Sequence, residues 1–137
     1  MPFSTRIIVR FGDTDPAGLV YYPNLFHYFH VAMEEFFAAR CGVSYDRLMG
    51  DERVGFPTVK AEAEFMLPLV YGDEAIVEVA VSGVGRSSAT FEYNIRRARD
   101  NALCVRARLV QVAMNLDERR AIPISDSLRR AFEESAA

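Results

Sequence analysis

From Gly55 onward the chain breaks into four long runs, 58–69, 75–83, 87–98 and 103–116, rich in Val, Ile, Phe, Tyr and Thr and divided by turn residues. Their links, Tyr71-Gly72-Asp73, Gly83-Val84-Gly85-Arg86 and Arg99-Asp100-Asn101, hold three or four residues each. A parallel crossover needs roughly a dozen, so these runs pair antiparallel. Ala89, Phe91, Tyr93 and Ile95 alternate with polar residues and predict one buried face. Pro68 cannot donate to a ladder, which predicts an edge position or a bulge in the first run.

Before these runs lies one long apolar segment. Residues 23–40 predict a helix of 18 residues, roughly 27 Å long. Pro23 suits its first turn and Gly42 a left-handed cap beyond its end. Leu25, Phe26, Phe29, Val31, Ala32, Met33, Phe36 and Phe37 make a stripe so wide that the helix is expected to be wrapped on most sides. Residues 6–12 predict a short strand and 13–22 a loop. Ser44 starts a second short helix, and 126–135 predict a terminal helix with Leu128 and Phe132 inward. The sum is an α+β fold in which a five-stranded antiparallel sheet wraps a long central helix. At 137 residues the chain reads as one domain, 1–137. Apolar residues left over on a sheet face or edge predict a dimer.

Half the residues are hydrophobic and 26% are charged, enough apolar material for a core without a membrane span, which needs roughly 18 consecutive apolar residues. Met-Pro-Phe-Ser-Thr-Arg carries no hydrophobic leader, so the expectation is a cytoplasmic protein with no membrane partner. A net charge of −3 gives no global basic field, and Arg96, Arg97 and Arg99 beside Asp100 read as a solvated hairpin end, so no nucleic-acid partner is expected. Cys41 and Cys104 read as buried free thiols.

The chemistry concentrates in the stretch from Phe11 to Asn24, which sets Asp13, Asp15 and Gly18 before the helix start. Unpaired N–H groups at a helix start receive an oxygen that carries negative charge. A carboxylate beside such a site points to acyl transfer. Asp13 reads as a structural capping carboxylate, and no nucleophile-elbow signature is present. His27 and His30 could share a helix face, yet the third ligand and catalytic Glu of a helical metal motif are missing. Neither a metal nor a cofactor is expected.

Asp13-Thr14-Asp15-Pro16-Ala17-Gly18-Leu19-Val20-Tyr21-Tyr22-Pro23-Asn24 resembles the 4-hydroxybenzoyl-CoA thioesterase branch of the hot-dog fold thioesterases, and the succession of elements is similar along nearly the whole chain. The resemblance implies an acyl-CoA thioester hydrolase acting on an aromatic (benzoyl or hydroxybenzoyl type) or short-to-medium acyl-CoA. It implies Asp15 as nucleophile or general base, with Gly18 and Tyr22 at matching positions and the Tyr22 N–H on the thioester oxygen. Sites across the interface of a homodimer or homotetramer would let Phe56, Pro57 and Thr58 reach an acyl group at the neighbour's Asp15. Arg86, Ser87 and Ser88 resemble the site for the CoA phosphates, with a solvated turn as the other reading of Arg86. His30 stands where the 4-hydroxybenzoyl enzyme has a carboxylate; an imidazole there can bond a phenol or line a pocket for an acyl group without a hydroxyl, with a packed helix residue as the other reading. Tyr21 and Phe56 are read as pocket or core. The alternatives are an acyl-carrier-protein thioesterase and a non-catalytic acyl-CoA binding module.

Overall fold

A computed structural model describes residues 2–136. In chain order it contains β1 (Phe3–Ile8), a 3-10 turn (Phe11–Asp13), α1 (Tyr22–Arg40), α2 (Tyr45–Gly50), β2 (Val54–Gly55), β3 (Thr58–Phe65), β4 (Glu74–Val84), β5 (Ser88–Arg97), β6 (Ala102–Val112), β7 (Met114–Asn115), β8 (Arg120–Ala121) and α3 (Asp126–Glu133). The five long strands form one antiparallel sheet in the order β1-β4-β5-β6-β3. The three short ones make a separate small sheet, β2-β7-β8. This is the α+β arrangement expected, with α1 packed on one face of the sheet.

Alternation decides which face that is. Val77, Val79, Ala89, Phe91, Tyr93, Ile95, Val105 and Ala107 are buried toward α1. Phe29 stacks on Tyr93 at 5.0 Å, and Phe36 meets Phe91 at 6.0 Å and Phe132 of α3 at 6.2 Å. Burying each of these rings is worth about 2 to 3 kcal/mol relative to exposure. The opposite face carries cross-strand ion pairs, Arg96 with Glu78 at 3.1 Å and Arg108 with Glu92 at 3.5 Å.

Helix α1 starts one residue earlier than the pattern predicts, with Pro23 at its second position, and ends before Gly42, whose φ of +72° fits the expected left-handed cap. It is not wrapped on most sides within one chain. Leu25, Tyr28, Phe29, Ala32, Met33, Phe36 and Phe37 are buried, while Tyr22, His27, His30, Glu34 and Ala38 are exposed. The sheet covers a single side of the rod.

Other boundaries shift for local reasons. The first strand ends at Ile8 because the Asp13 carboxylate accepts the Arg10 N–H and closes a 3-10 turn. The run 58–69 stops as a strand at Phe65, after which Met66 and Leu67 both donate to the Cys104 carbonyl and Pro68 follows. Strand β3 is an edge strand, as Pro68 predicts. Arg97, expected in solvent, is buried, and it donates from Nη1 to the Pro68 carbonyl at 2.8 Å. Among the described residues no helix is long and apolar enough to cross a membrane. Cys104 is buried and Cys41 half-buried, both as free thiols.

Candidate active site

The loop between β1 and α1 is built on Asp13. Its backbone carbonyl accepts the Tyr21 N–H and the Asn24 Nδ2, both at 2.9 Å, and its carboxylate accepts the Tyr28 hydroxyl at 2.7 Å. Burial, then the bond to Asp13, push the Tyr28 phenol above its ordinary range. Asp13 is therefore a structural hub, its acceptor capacity spent on holding the loop to the helix.

Asp15 sits at the tip of a narrow arm. Thr14 and Val20 form a β-bridge, the Asp15 N–H donates to Leu19, and the Gly18 N–H returns to the Asp15 carbonyl at 2.9 Å. That return needs Gly18 at φ +87°, a conformation L side chains rarely adopt. The Asp15 carboxylate is half-buried, accepts the Ala17 N–H at 2.9 Å and has no cation partner among the described residues. The returning arm is fixed to the strap 66–73, because Val20 donates to Leu69 and Leu19 bridges to Val70.

Where the arm ends, α1 begins. Tyr22 is its first residue, and its N–H has no protein acceptor among the described residues. Tyr22, Phe26 and His30 follow at four-residue spacing and so line up along one row of the helix. That row runs beside β3: Phe65 meets the ring of Tyr22 at 6.1 Å and that of Phe26 at 6.2 Å. Two cavities open along the seam. One, of about 310 Å³, is lined by Tyr22, Leu25, Phe65, Met66, Pro68 and Leu69 among others. The second, of about 200 Å³, is lined by Phe26, His30, Met33, Thr58, Tyr93 and Gln111 among others.

The second cavity has a polar end. His30 Nδ1 lies 3.5 Å from the Glu34 carboxylate, and its ring sits edge-on to Tyr45 at 5.9 Å. Gln111, almost fully buried, donates to the Phe56 carbonyl at 2.9 Å and accepts the Tyr93 hydroxyl at 3.1 Å. Burial raises the Tyr93 phenol above its ordinary range.

Of the residues singled out in the sequence, Tyr22, His30 and Thr58 are brought to the α1–β3 seam, and Asp15 and Gly18 to the arm that leads into it. Tyr21 is half-exposed, with its ring edge-on to Tyr22 at 5.5 Å. Phe56 is 1% exposed and held in the core by the Tyr45 hydroxyl, and the Pro57 carbonyl accepts the Val112 N–H. Arg86, Ser87 and Ser88 lie at the other end of the sheet. From Ser88 to Ile95, near the arm, β5 extends roughly 23 Å, so one chain does not bring that turn to its own Asp15. His27 faces the β1 side and His30 the β3 side, so the two do not converge. Among the described residues no group of three His, Cys, Asp or Glu is placed for a metal.

Sequence reasoning missed Phe65 and Gln111. Gln111 had a signal, since it is the one polar residue in Leu109-Val110-Gln111-Val112-Ala113. Phe65 had none, because its role comes from the packing of β3 on α1.

A carboxylate on a tight arm, a free amide at a helix start and an apolar seam are what thioester cleavage requires. The profile of the thioesterase-like superfamily matches residues 9–132. The chain belongs to that family. This thioesterase is 31% identical over 121 residues to a 1,4-dihydroxy-2-naphthoyl-CoA hydrolase of Rippkaea orientalis, covering 88% of this chain and 87% of the relative. It is 31% identical over 131 residues to a 4-hydroxybenzoyl-CoA thioesterase of Pseudomonas sp., covering 93% and 88%. Its structure resembles that of a 4-hydroxybenzoyl-CoA thioesterase variant with one Asp replaced by Asn, complexed with 4-hydroxybenzoyl-CoA. The TM-score is 0.87 at 26% identity, over 96% of this chain and 98% of the other. The hot-dog fold and the thioesterase class expected from the sequence are both borne out.

Proposed function

We propose that this thioesterase hydrolyses aromatic acyl-CoA esters, with Asp15 acting on the thioester carbonyl and the Tyr22 N–H holding its oxygen. The observation that carries the reading is the Tyr22 amide, without an acceptor among the described residues, at the mouth of an apolar seam, two residues beyond the arm that presents Asp15. The named relatives act on naphthoyl and hydroxybenzoyl esters of CoA, and a seam lined by Phe26, Phe65 and Tyr93 suits a ring.

In the reaction the carbonyl carbon faces the Asp15 carboxylate. Attack by the carboxylate, or by a water whose proton Asp15 takes, forms a C–O bond and places negative charge on the oxygen at Tyr22. That amide contributes about 3 kcal/mol to the transition state. The C–S bond then breaks and the electron pair leaves on sulfur as the CoA thiolate, which needs no strong acid. After direct attack, a water cleaves the acyl-aspartate anhydride and regenerates Asp15.

The working form in this proposal is a dimer. Strand β3 has a free edge and exposes Val59 and Phe65. Two copies related by a two-fold axis pair β3 antiparallel, so a second copy's Thr58 end approaches this chain's Phe65 end and the seam. The same operation carries the second copy's Arg86-Ser87-Ser88 turn from the far end of its sheet toward this chain's arm, where it receives the CoA phosphates. A cytoplasmic setting is part of the proposal, in keeping with two free thiols.

Thiol release across benzoyl, hydroxybenzoyl, dihydroxynaphthoyl and aliphatic CoA esters tests the reading. Aromatic esters should be cleaved fastest, with free CoA competing. Cleavage of acyl-carrier-protein esters that free CoA does not inhibit would reassign the substrate. Acyl-CoA retained intact for hours would make the protein a binding module.

A further inference from the structure

The β5–β6 hairpin sends two arginines into the strap that carries the Asp15 arm. Arg97 forks on the Asp100 carboxylate through Nε at 3.1 Å and Nη2 at 2.7 Å, leaving Nη1 for the Pro68 carbonyl at 2.8 Å. Arg99 Nε meets Asp73 at 2.8 Å, and the other Asp73 oxygen accepts the Val70 N–H at 2.9 Å. The two differ in surroundings, since the Arg97 side chain is 11% exposed and that of Arg99 56%.

Arg97 grips the strap where the sheet cannot. Pro68 lies past the end of β3, offers no N–H, and shares the wall of the 310 Å³ cavity with Tyr22. The next residue, Leu69, accepts the Val20 N–H at 2.9 Å and so holds the returning arm of the Asp15 loop. A chain of direct contacts therefore runs from Asp100 through Arg97, Pro68 and Leu69 to Val20 and the arm. A buried guanidinium forked on a carboxylate is a fixed point. The Asp100 carboxyl is correspondingly held down to about 2, first by Arg97 and then by the Ala102 N–H.

We infer that Arg97 is a positioning residue for the thioesterase reaction: by holding the Pro68 carbonyl it sets where the Asp15 arm stands relative to Tyr22 and the cavity they share. This rests on the function proposed above. Arg97 touches no reacting atom. A misplacement of about 1 Å at a reacting pair costs roughly a hundredfold in rate, so a residue in this place acts on turnover more than on substrate affinity.

The test pairs kinetics with amide hydrogen exchange on Arg97→Met and Arg97→Lys. Lysine keeps the charge but cannot fork on Asp100 and reach Pro68 together, and it serves if the methionine variant does not fold. The inference expects Val20 and Gly18 amides to exchange at least tenfold faster while the Tyr93 amide is unchanged. It expects kcat to fall tenfold or more with KM within twofold, and lysine to fall between methionine and wild type. Unchanged exchange at Val20, acceleration of all amides together, or a loss confined to KM overturns it. If wild type cleaves none of the esters, the proposed function fails, while the exchange data still decide whether Arg97 holds the arm.

Discussion

The Tyr28 hydroxyl donates to the Asp13 carboxylate at 2.7 Å, joining the second turn of α1 to the loop that presents Asp15. Asp13 also accepts from Tyr21 and Asn24 through its carbonyl, so one residue fixes both the loop and the helix start. Removing the hydroxyl leaves a half-buried carboxylate one donor short. Tyr28→Phe should cost about 1 to 3 kcal/mol, read as a lower midpoint in thermal or urea unfolding, and should lower kcat because Asp15 and Tyr22 lose their common support. An unchanged midpoint would remove the hub role from Asp13.

His30 lines the 200 Å³ cavity with its Nδ1 turned to Glu34. The other ring nitrogen is left to bond a ring hydroxyl of an acyl group held in that cavity. His30→Leu should lower the ratio of kcat/KM for 4-hydroxybenzoyl-CoA over benzoyl-CoA by about tenfold, equivalent to about 1.4 kcal/mol. Equal losses on both esters would reduce His30 to plain lining.

Strand β3 is the free edge on which the proposed dimer depends. Val59→Lys together with Phe65→Lys places charge on that edge. Sedimentation should then show monomers, and activity should fall although the circular dichroism is kept. A dimer that survives both changes would place the interface elsewhere.

The Cys41 thiol is pushed up from 9 to about 12 by burial. Three units correspond to about 10³ less thiolate near neutral pH. Iodoacetamide at pH 8 should accordingly label Cys41 about 10³-fold more slowly in the native protein than in urea. The sign for stability follows: the folded state keeps this proton more tightly, so the contribution is whole below pH 9 and is lost as pH rises from 9 through 12. Equal labelling rates would contradict the burial.

Much of the fold was legible in the sequence because local rules dominate there. Short links forced antiparallel pairing, alternation at Ala89, Phe91, Tyr93 and Ile95 gave the buried face, and Pro23 and Gly42 bracketed α1. What stayed hidden depends on contacts between elements distant in the chain. Arg97 looks like any hairpin arginine until β5 is set beside the strap at Pro68. The α1 stripe is wider than the face it buries, because an apolar side chain such as Phe26 serves a seam as readily as a core. For the candidate site, the motif pointed to Asp15, Gly18 and Tyr22, whereas Phe65 and Gln111 line the same seam only through the packing of β3 and β6 against α1.

The central claim is that the Asp15 carboxylate performs the cleavage. Among the described residues its side chain bonds only the neighbouring Ala17 N–H, which donates as readily to an amide oxygen, so Asp15→Asn should fold as wild type does. Single-turnover thiol release from the best aromatic CoA ester should be about 10³-fold slower in the variant, roughly 4 kcal/mol of lost transition-state stabilisation, with the ester still bound. A folded Asp15→Asn protein that releases CoA at the wild-type rate would contradict the account.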